Sequence, residues 1–197
     1  MMRNWWLILF FIPVFVFGQN LQPDEFLWNK SRKLKKEDYK IIVYDKDITI
    51  RSSINFSWQL AGFSVFNKNF NQNVQNKFFG NSSAINPEAH GIDFLLEYQQ
   101  TNFDLAEIYA RKMRRELLIN KNKLWKGFDY ANLILNQISS DFIRVQMIMD
   151  KETNHGNDLE QLKFWQQKIK NELDELSDFD YDNTSKIKIK ENYINLI

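Results

Sequence analysis

The chain has 197 residues, 26 Lys and Arg against 25 Asp and Glu, two His and no Cys. Near-neutral charge argues against a general nucleic-acid binder, which carries a basic excess. The lack of Cys excludes disulfides, thiolate metal sites and a lipoprotein anchored through Cys. Stability must come from packing, and 44% hydrophobic residues, 17 Phe and six Trp supply it.

The elements are taken in chain order. Met1-Met2-Arg3-Asn4 precedes an apolar run, Trp5–Phe17, with Pro13 near its end and Val16 and Gly18 at its exit. One basic residue, a short apolar stretch and small exit residues are the pattern of a secretory signal peptide. The expectation is a signal peptide over 1–18, cleaved after Gly18, and one domain over 19–197. The run is short for a bilayer span, which takes about 20 residues. An uncleaved anchor is the alternative. The product is expected in the periplasm, at the cell surface or outside the cell, with no transmembrane segment once the signal is removed.

Trp28, Arg32-Lys33-Leu34 and Asp38-Tyr39 are similar to the opening of a bacterial secreted family that the later helix also resembles. The resemblance implies that Trp28, Leu34 and Tyr39 pack at the start of the domain. Ile41-Ile42-Val43-Tyr44 reads as a short strand and Asp45-Lys46-Asp47 as a turn. From Ile48 to Leu60 apolar and polar residues alternate, with Ile48, Ile50, Ser52, Ile54, Phe56 and Trp58 on one face. That is the period of a half-buried strand. Phe63–Phe66 is the candidate returning strand after Ala61-Gly62. Residues 67–83 read as mostly irregular, anchored by Val74 and Phe78. Asn86-Pro87 reads as a helix start, with Asn86 as cap.

Three helices are predicted, over about 88–118, 129–150 and 157–176. Leu133, Ile134, Ile138, Phe142, Val145 and Met149 stripe the second. Leu159, Leu162, Trp165, Ile169, Leu173 and Leu176 stripe the third. Strands first and helices after give an α+β domain of N-terminal antiparallel strands and three main helices. The tail 177–197 is either an edge strand guarded by lysines or a loose terminus.

The first helix carries the sequence Leu95-Leu96-Glu97-Tyr98-Gln99-Gln100-Thr101-Asn102-Phe103-Asp104, then Leu105-Ala106-Glu107-Ile108-Tyr109-Ala110-Arg111-Lys112-Met113-Arg114-Arg115-Glu116-Leu117. This resembles a bacterial secreted family described as zinc-dependent proteases. There the segment reads LL-x-HEQGHFD, followed by a stretch like IAEIYARKLRKEL. The resemblance runs in patches from Trp28 to about Ile169 and implies a zincin-like helix at about 88–118. In an HExxH helix two His one turn apart converge on zinc, and the Glu works on the metal-bound water. Here the first His position holds Tyr98, the Glu position Gln99 and the second His position Asn102.

Each replacement removes a function. Tyr98 ligates metal only as a phenolate, and a phenol ordinarily titrates near 10. Asn102 offers a neutral carbonyl, a weak zinc ligand beside imidazole. Gln99 has no basic site and cannot act as general base. The resemblance therefore implies a pseudoenzyme that has not kept the family's zinc. The helical stripe Leu95, Tyr98, Asn102, Leu105, Tyr109 and Met113 makes Tyr98 a core aromatic and Asn102 a partly buried amide in need of partners.

A second patch, Asp150-Lys151-Glu152-Thr153-Asn154-His155-Gly156, is similar to an Asp-x-x-Thr-x-His-Gly turn of that family. The resemblance makes His155 a third ligand or site residue. Read from the residues alone it is a turn, with Gly156 at positive φ and Asn157 or Asp158 capping the next helix. His90, two turns before Tyr98, is the other imidazole. A rearranged metal-dependent hydrolase would use His155 and His90 with carboxylates such as Glu97, Asp104 or Glu107.

The basic residues Arg111, Lys112, Arg114, Arg115, Lys121, Lys123 and Lys126 read as the solvated face of a long helix, with Glu107 and Arg111 paired at i,i+4. The other reading is a contact for an anionic partner. The functional expectation is an exported, non-catalytic binding or structural protein. Tyr98, Asn102 and His155 are its candidate binding residues, and its partner is a protein, a peptide or an envelope component.

Overall fold

A computed structural model describes residues 21–44, 49–60, 66–127 and 129–189. The signal peptide, the turn at 45–47 and most of the candidate returning strand at 63–66 fall outside them. The architecture is α+β. Six short strands come first: β1 Glu25–Leu27, β2 Ile41–Ile42, β3 Ile50–Arg51, β4 Ile54–Trp58, β5 Val74–Phe79 and β6 Ala84–Ile85. Three helices follow: α1 Ile92–Ile119, α2 Asp129–Glu152 and α3 Leu159–Glu175.

The strands form two sheets. One is antiparallel in the order β1-β5-β4, with Phe26 opposite Phe78 and Phe56 opposite Asn76. The other is mixed in the order β2-β6-β3, where β2 runs parallel to β6 and β3 antiparallel to it. The alternating stretch from Ile48 to Leu60 is thus two strands rather than one. Ser52-Ser53 breaks it, and the chain changes sheets there. Ser53 donates its N–H to Ser83 Oγ at 2.9 Å and accepts from Phe79 N–H at 2.9 Å.

The expectation that 67–83 is irregular is corrected by β5, the central strand of the first sheet. Val74, Asn76 and Phe78 point inward along it. A buried Asn in the middle of the strand hides its period. Asn76 is accommodated because its Nδ2 donates to Phe103 O of α1 at 3.2 Å. Val74 and Phe78 do anchor the segment, and both are fully buried. The two sheets meet at Gly80. A Cβ there would lie 2.4 Å from Asp38 O and 2.9 Å from Asp24 O, so only glycine fits the crossing.

The helix start at Asn86-Pro87 is also corrected. Asn86 extends the β6 ladder by donating to Thr49 O at 2.8 Å, and its Oδ1 accepts from Glu88 N–H at 3.1 Å. These bonds make a turn. Gly91, at φ 73°, then redirects the chain, and α1 begins at Ile92.

Helix α1 is the centre of the molecule. Leu105, Ile108, Met113 and Leu117 join Val74 and Phe56 of the sheet, Ile138 and Met149 of α2, and Leu162, Trp165 and Ile169 of α3 in one core. Trp28, Leu34 and Tyr39 pack with Phe78, Ile85, Ile92 and Phe103 in a second. Two expected stripe residues are not core: Leu133 and Leu159 stand 61% and 40% exposed. Asp158 caps α3, accepting from Glu160 N–H at 3.1 Å and Gln161 N–H at 3.0 Å.

Among the described residues of the tail, which reach 189, no strand forms and the earlier part is tied to the domain. Asn69 Nδ2 donates to Asn183 O and Ser185 O, and Asn71 Nδ2 to Asp178 O and Asn183 O. Ile187 is buried in the main core. No helix of the described residues is long and apolar enough to cross a membrane.

Candidate functional site

Tyr98 and Asn102, four residues apart, lie one turn apart on the face of α1 that meets α2. Both are buried. The Tyr98 hydroxyl donates to the Asp150 carboxylate. Burial pushes the phenol well above its ordinary range, and the hydrogen bond to Asp150 pushes the same way. Tyr98 is therefore a neutral phenol at any physiological pH, and the phenolate a metal would need is disfavoured. Asn102 Nδ2 donates to Tyr98 O at 3.2 Å, while its Oδ1 accepts from Gln146 Nε2 at 2.8 Å. Gln99 sits half-buried beside them. Tyr98 and Asn102 are thus engaged by hydrogen bonds that run within α1 and between α1 and α2.

The turn after α2 completes this corner. Asn154, His155 and Gly156 are consecutive left-handed residues, at φ 47°, 55° and 86°. Thr153, fully buried, holds the turn: its Oγ1 donates to Met149 O at 2.7 Å and accepts from Gly156 N–H at 3.2 Å. Gly156 lies flat on Tyr98, where a Cβ would stand 2.6 Å from both Cβ and Cγ of the tyrosine. The turn thus reaches the motif helix through Gly156. His155 itself is exposed, as is His90 in the turn before α1.

Two of the three carboxylates that a rearranged site would recruit, Asp104 and Glu107, are engaged elsewhere. Asp104 Oδ1 accepts from Trp28 Nε1 and Gln100 Nε2, both at 2.7 Å. Glu107 Oε1 is 2.7 Å from Arg114 Nη1 and 3.1 Å from Arg111 Nε. Among the described residues no three His, Asp or Glu side chains gather into a metal-binding group.

The solvated-face reading of Arg111, Arg114 and Arg115 is corrected: all three are buried. The Glu107–Arg111 pair forms, but inside the protein. Arg111 also donates to Leu173 O at 2.8 Å and pairs with Asp180. Arg114 donates to Val74 O at 2.8 and 3.1 Å and to Phe179 O at 2.9 Å. Two guanidiniums around one carboxylate tie α1 to the sheet, to α3 and to the segment after it. The long-range carbonyl partners carry no sequence signal, which is why spacing suggested a surface helix.

On another face of α1 a cleft of about 690 Å³ opens toward α3 and the loop 28–34. Leu34, Leu96, Ile169 and Leu173 give it an apolar lining. Gln100 and Asp104 set the loop: Leu34 N–H donates to Gln100 Oε1 at 2.8 Å, and Trp28 is held by Asp104. Charges ring the opening. Lys30 pairs with Asp174 at 3.2 Å, Lys170 with the same carboxylate at 3.3 Å, and Lys33 with Asp104 at 3.5 Å. Glu97 is exposed at the edge. Its volume lies within the range of small-molecule sites. Sequence reading placed the binding site beneath Tyr98, Asn102 and His155 and did not find this cleft, because its walls come from segments far apart in the chain.

No family model matches this chain, and no curated protein or solved structure does.

Proposed function

We propose that this protein is an exported, non-catalytic binding protein built on a scaffold that resembles the zinc-protease-like family. The observation that carries the reading is the closed hydrogen-bond set of Tyr98, Asp150, Asn102 and Gln146. It stands where the resembled family has its zinc ligands, and it engages the Tyr98 hydroxyl and both ends of the Asn102 amide. A neutral phenol, a hydrogen-bonded amide and the uncharged Gln99 supply neither a metal seat nor a base.

Binding in this reading belongs to the cleft between α1, α3 and the loop 28–34. Its apolar lining and its ring of both charge signs suit a short peptide or a similar small ligand, with an apolar side chain and charged ends. Thermal-shift screening with short peptides tests this on the intact chain and on Glu97→Trp. Glu97 is exposed, so the variant narrows the cleft without disturbing the core. Stabilisation of the parent and not of the variant is expected. Peptide hydrolysis by the zinc-loaded chain would overturn the reading.

A further inference from the structure

Phe66 and Trp125 stand 68% and 59% exposed, yet their rings meet edge to face with centroids 5.1 Å apart. Single exposed apolar residues are ordinary on protein surfaces. Two large aromatics from distant segments that pack on each other and otherwise face water form an apolar tip. Trp125 belongs to the short 3₁₀ helix Lys121–Lys126, which joins α1 to α2.

Three lysines lie close to the two aromatics along the chain. Lys121 Nζ donates to Asn67 O at 2.6 Å, which ties the two aromatic segments together. Lys123 Nζ lies 3.0 Å from Tyr130 Oη and 4.5 Å from the centre of its ring. Lys68 is exposed, between Asn67 and Asn69. Among the described residues no carboxylate forms an ion pair with Lys68, Lys121 or Lys123, as is also true of Lys35, Lys151, Lys163 and Lys168 elsewhere. Asp129, in the first turn of α2, is the acidic residue nearest in sequence.

Aromatic rings at a polar–apolar boundary, flanked by unneutralised lysines, are the chemistry that a lipid headgroup layer selects. The rings enter the boundary region, and the ammonium groups stay among the phosphates. We propose that the Phe66–Trp125 tip, with Lys68, Lys121 and Lys123, is a docking surface for an anionic lipid bilayer. This surface is separate from the cleft and from the Tyr98 corner, and it does not depend on the function proposed for either.

Vesicle co-sedimentation tests it, with phosphatidylcholine vesicles compared with vesicles that also contain phosphatidylglycerol. Intact chains are used throughout, so the apolar stretch Trp5–Phe17 is common to all. The parent should bind the anionic vesicles more tightly, and salt should weaken the difference. Phe66→Ser with Trp125→Ser, and separately Lys68→Gln with Lys121→Gln and Lys123→Gln, should each weaken anionic-vesicle binding about tenfold or more. Brominated lipid chains should quench the parent's Trp emission more than that of Trp125→Phe. Unfolding temperatures identify any variant that has lost its fold, and the conservative Trp125→Phe comparison stands in that case. Equal binding to both vesicle types, or equal binding by parent and variants, would overturn the proposal.

Discussion

The phenol of Tyr98 on α1 donates its hydrogen bond to the carboxylate of Asp150 on α2, 52 positions further along the chain. That bond joins the face of α1 that carries Tyr98 and Asn102 to the helix that precedes the His155 turn. Removing the hydroxyl tests its weight. Tyr98→Phe should keep the ring packing against Gly156 and cost about 1–2 kcal/mol, the usual effect of leaving a partly buried carboxylate without its donor. Urea unfolding measures it. No loss of stability would mean that water replaces the bond.

Gly156 makes a sharper prediction. Gly156→Ala puts a methyl 2.6 Å from two Tyr98 carbons at a residue with φ 86°. Overpacking and left-handed strain act together, so a loss of about 2–4 kcal/mol is expected. Asn157→Ala, in the same turn, should cost much less because its amide bonds one exposed carbonyl. Equal effects of the two substitutions would contradict the close packing.

The Glu107 carboxylate holds two guanidiniums in the interior. Glu107→Ala leaves Arg111 and Arg114 without their shared counter-charge and should cost about 3–5 kcal/mol. The damage should be local first. Arg114 bonds Phe179 O and Arg111 pairs with Asp180. Amide hydrogen exchange should therefore quicken across 177–187 before it quickens in α2. Uniform acceleration would show that the pair serves the whole core alike.

Three tyrosines predict the alkaline limit. Burial raises the phenols of Tyr39, Tyr98 and Tyr109 above the ordinary 10.0, Tyr109 to about 12 with Glu172 and Asp141 adding to it. A pKa raised on folding stabilises the folded state while the group stays neutral. The contribution is complete below pH 10 and declines as the pH rises through the folded values. Stability should therefore be insensitive to these groups at neutral pH and fall from about pH 10 upward. Tyr109→Phe should flatten that fall, which denaturation at a series of alkaline pH values would read.

The helices were legible because their apolar residues recur with helical period over long runs. Trp28, Leu34 and Tyr39 were expected to pack together because of the family resemblance, and they share one core. The turn at Asn154–Gly156 was legible from local chemistry, and so was a cap at Asn157 or Asp158, of which Asp158 is the one that forms. What escaped was set at a distance. Strand β5 hid behind Asn76, an inward polar residue whose partner is the backbone of α1. Arg111 and Arg114 looked solvated because their partners are carbonyls of β5, α3 and the chain after α3. Gly80 matters only because Asp24 and Asp38 cross it. The corner at Tyr98 was half readable: spacing put Tyr98 and Asn102 on one face, but Asp150 and Gln146 as their partners follow from how α2 packs.

The most direct measurement is zinc content of the purified chain after zinc loading and exhaustive dialysis. Far less than one zinc per chain is expected, because Tyr98 and Asn102 spend their polar groups on Asp150 and Gln146. Near-stoichiometric zinc, lost on His155→Ala or His90→Ala, would contradict the non-catalytic reading and establish a rebuilt metal site.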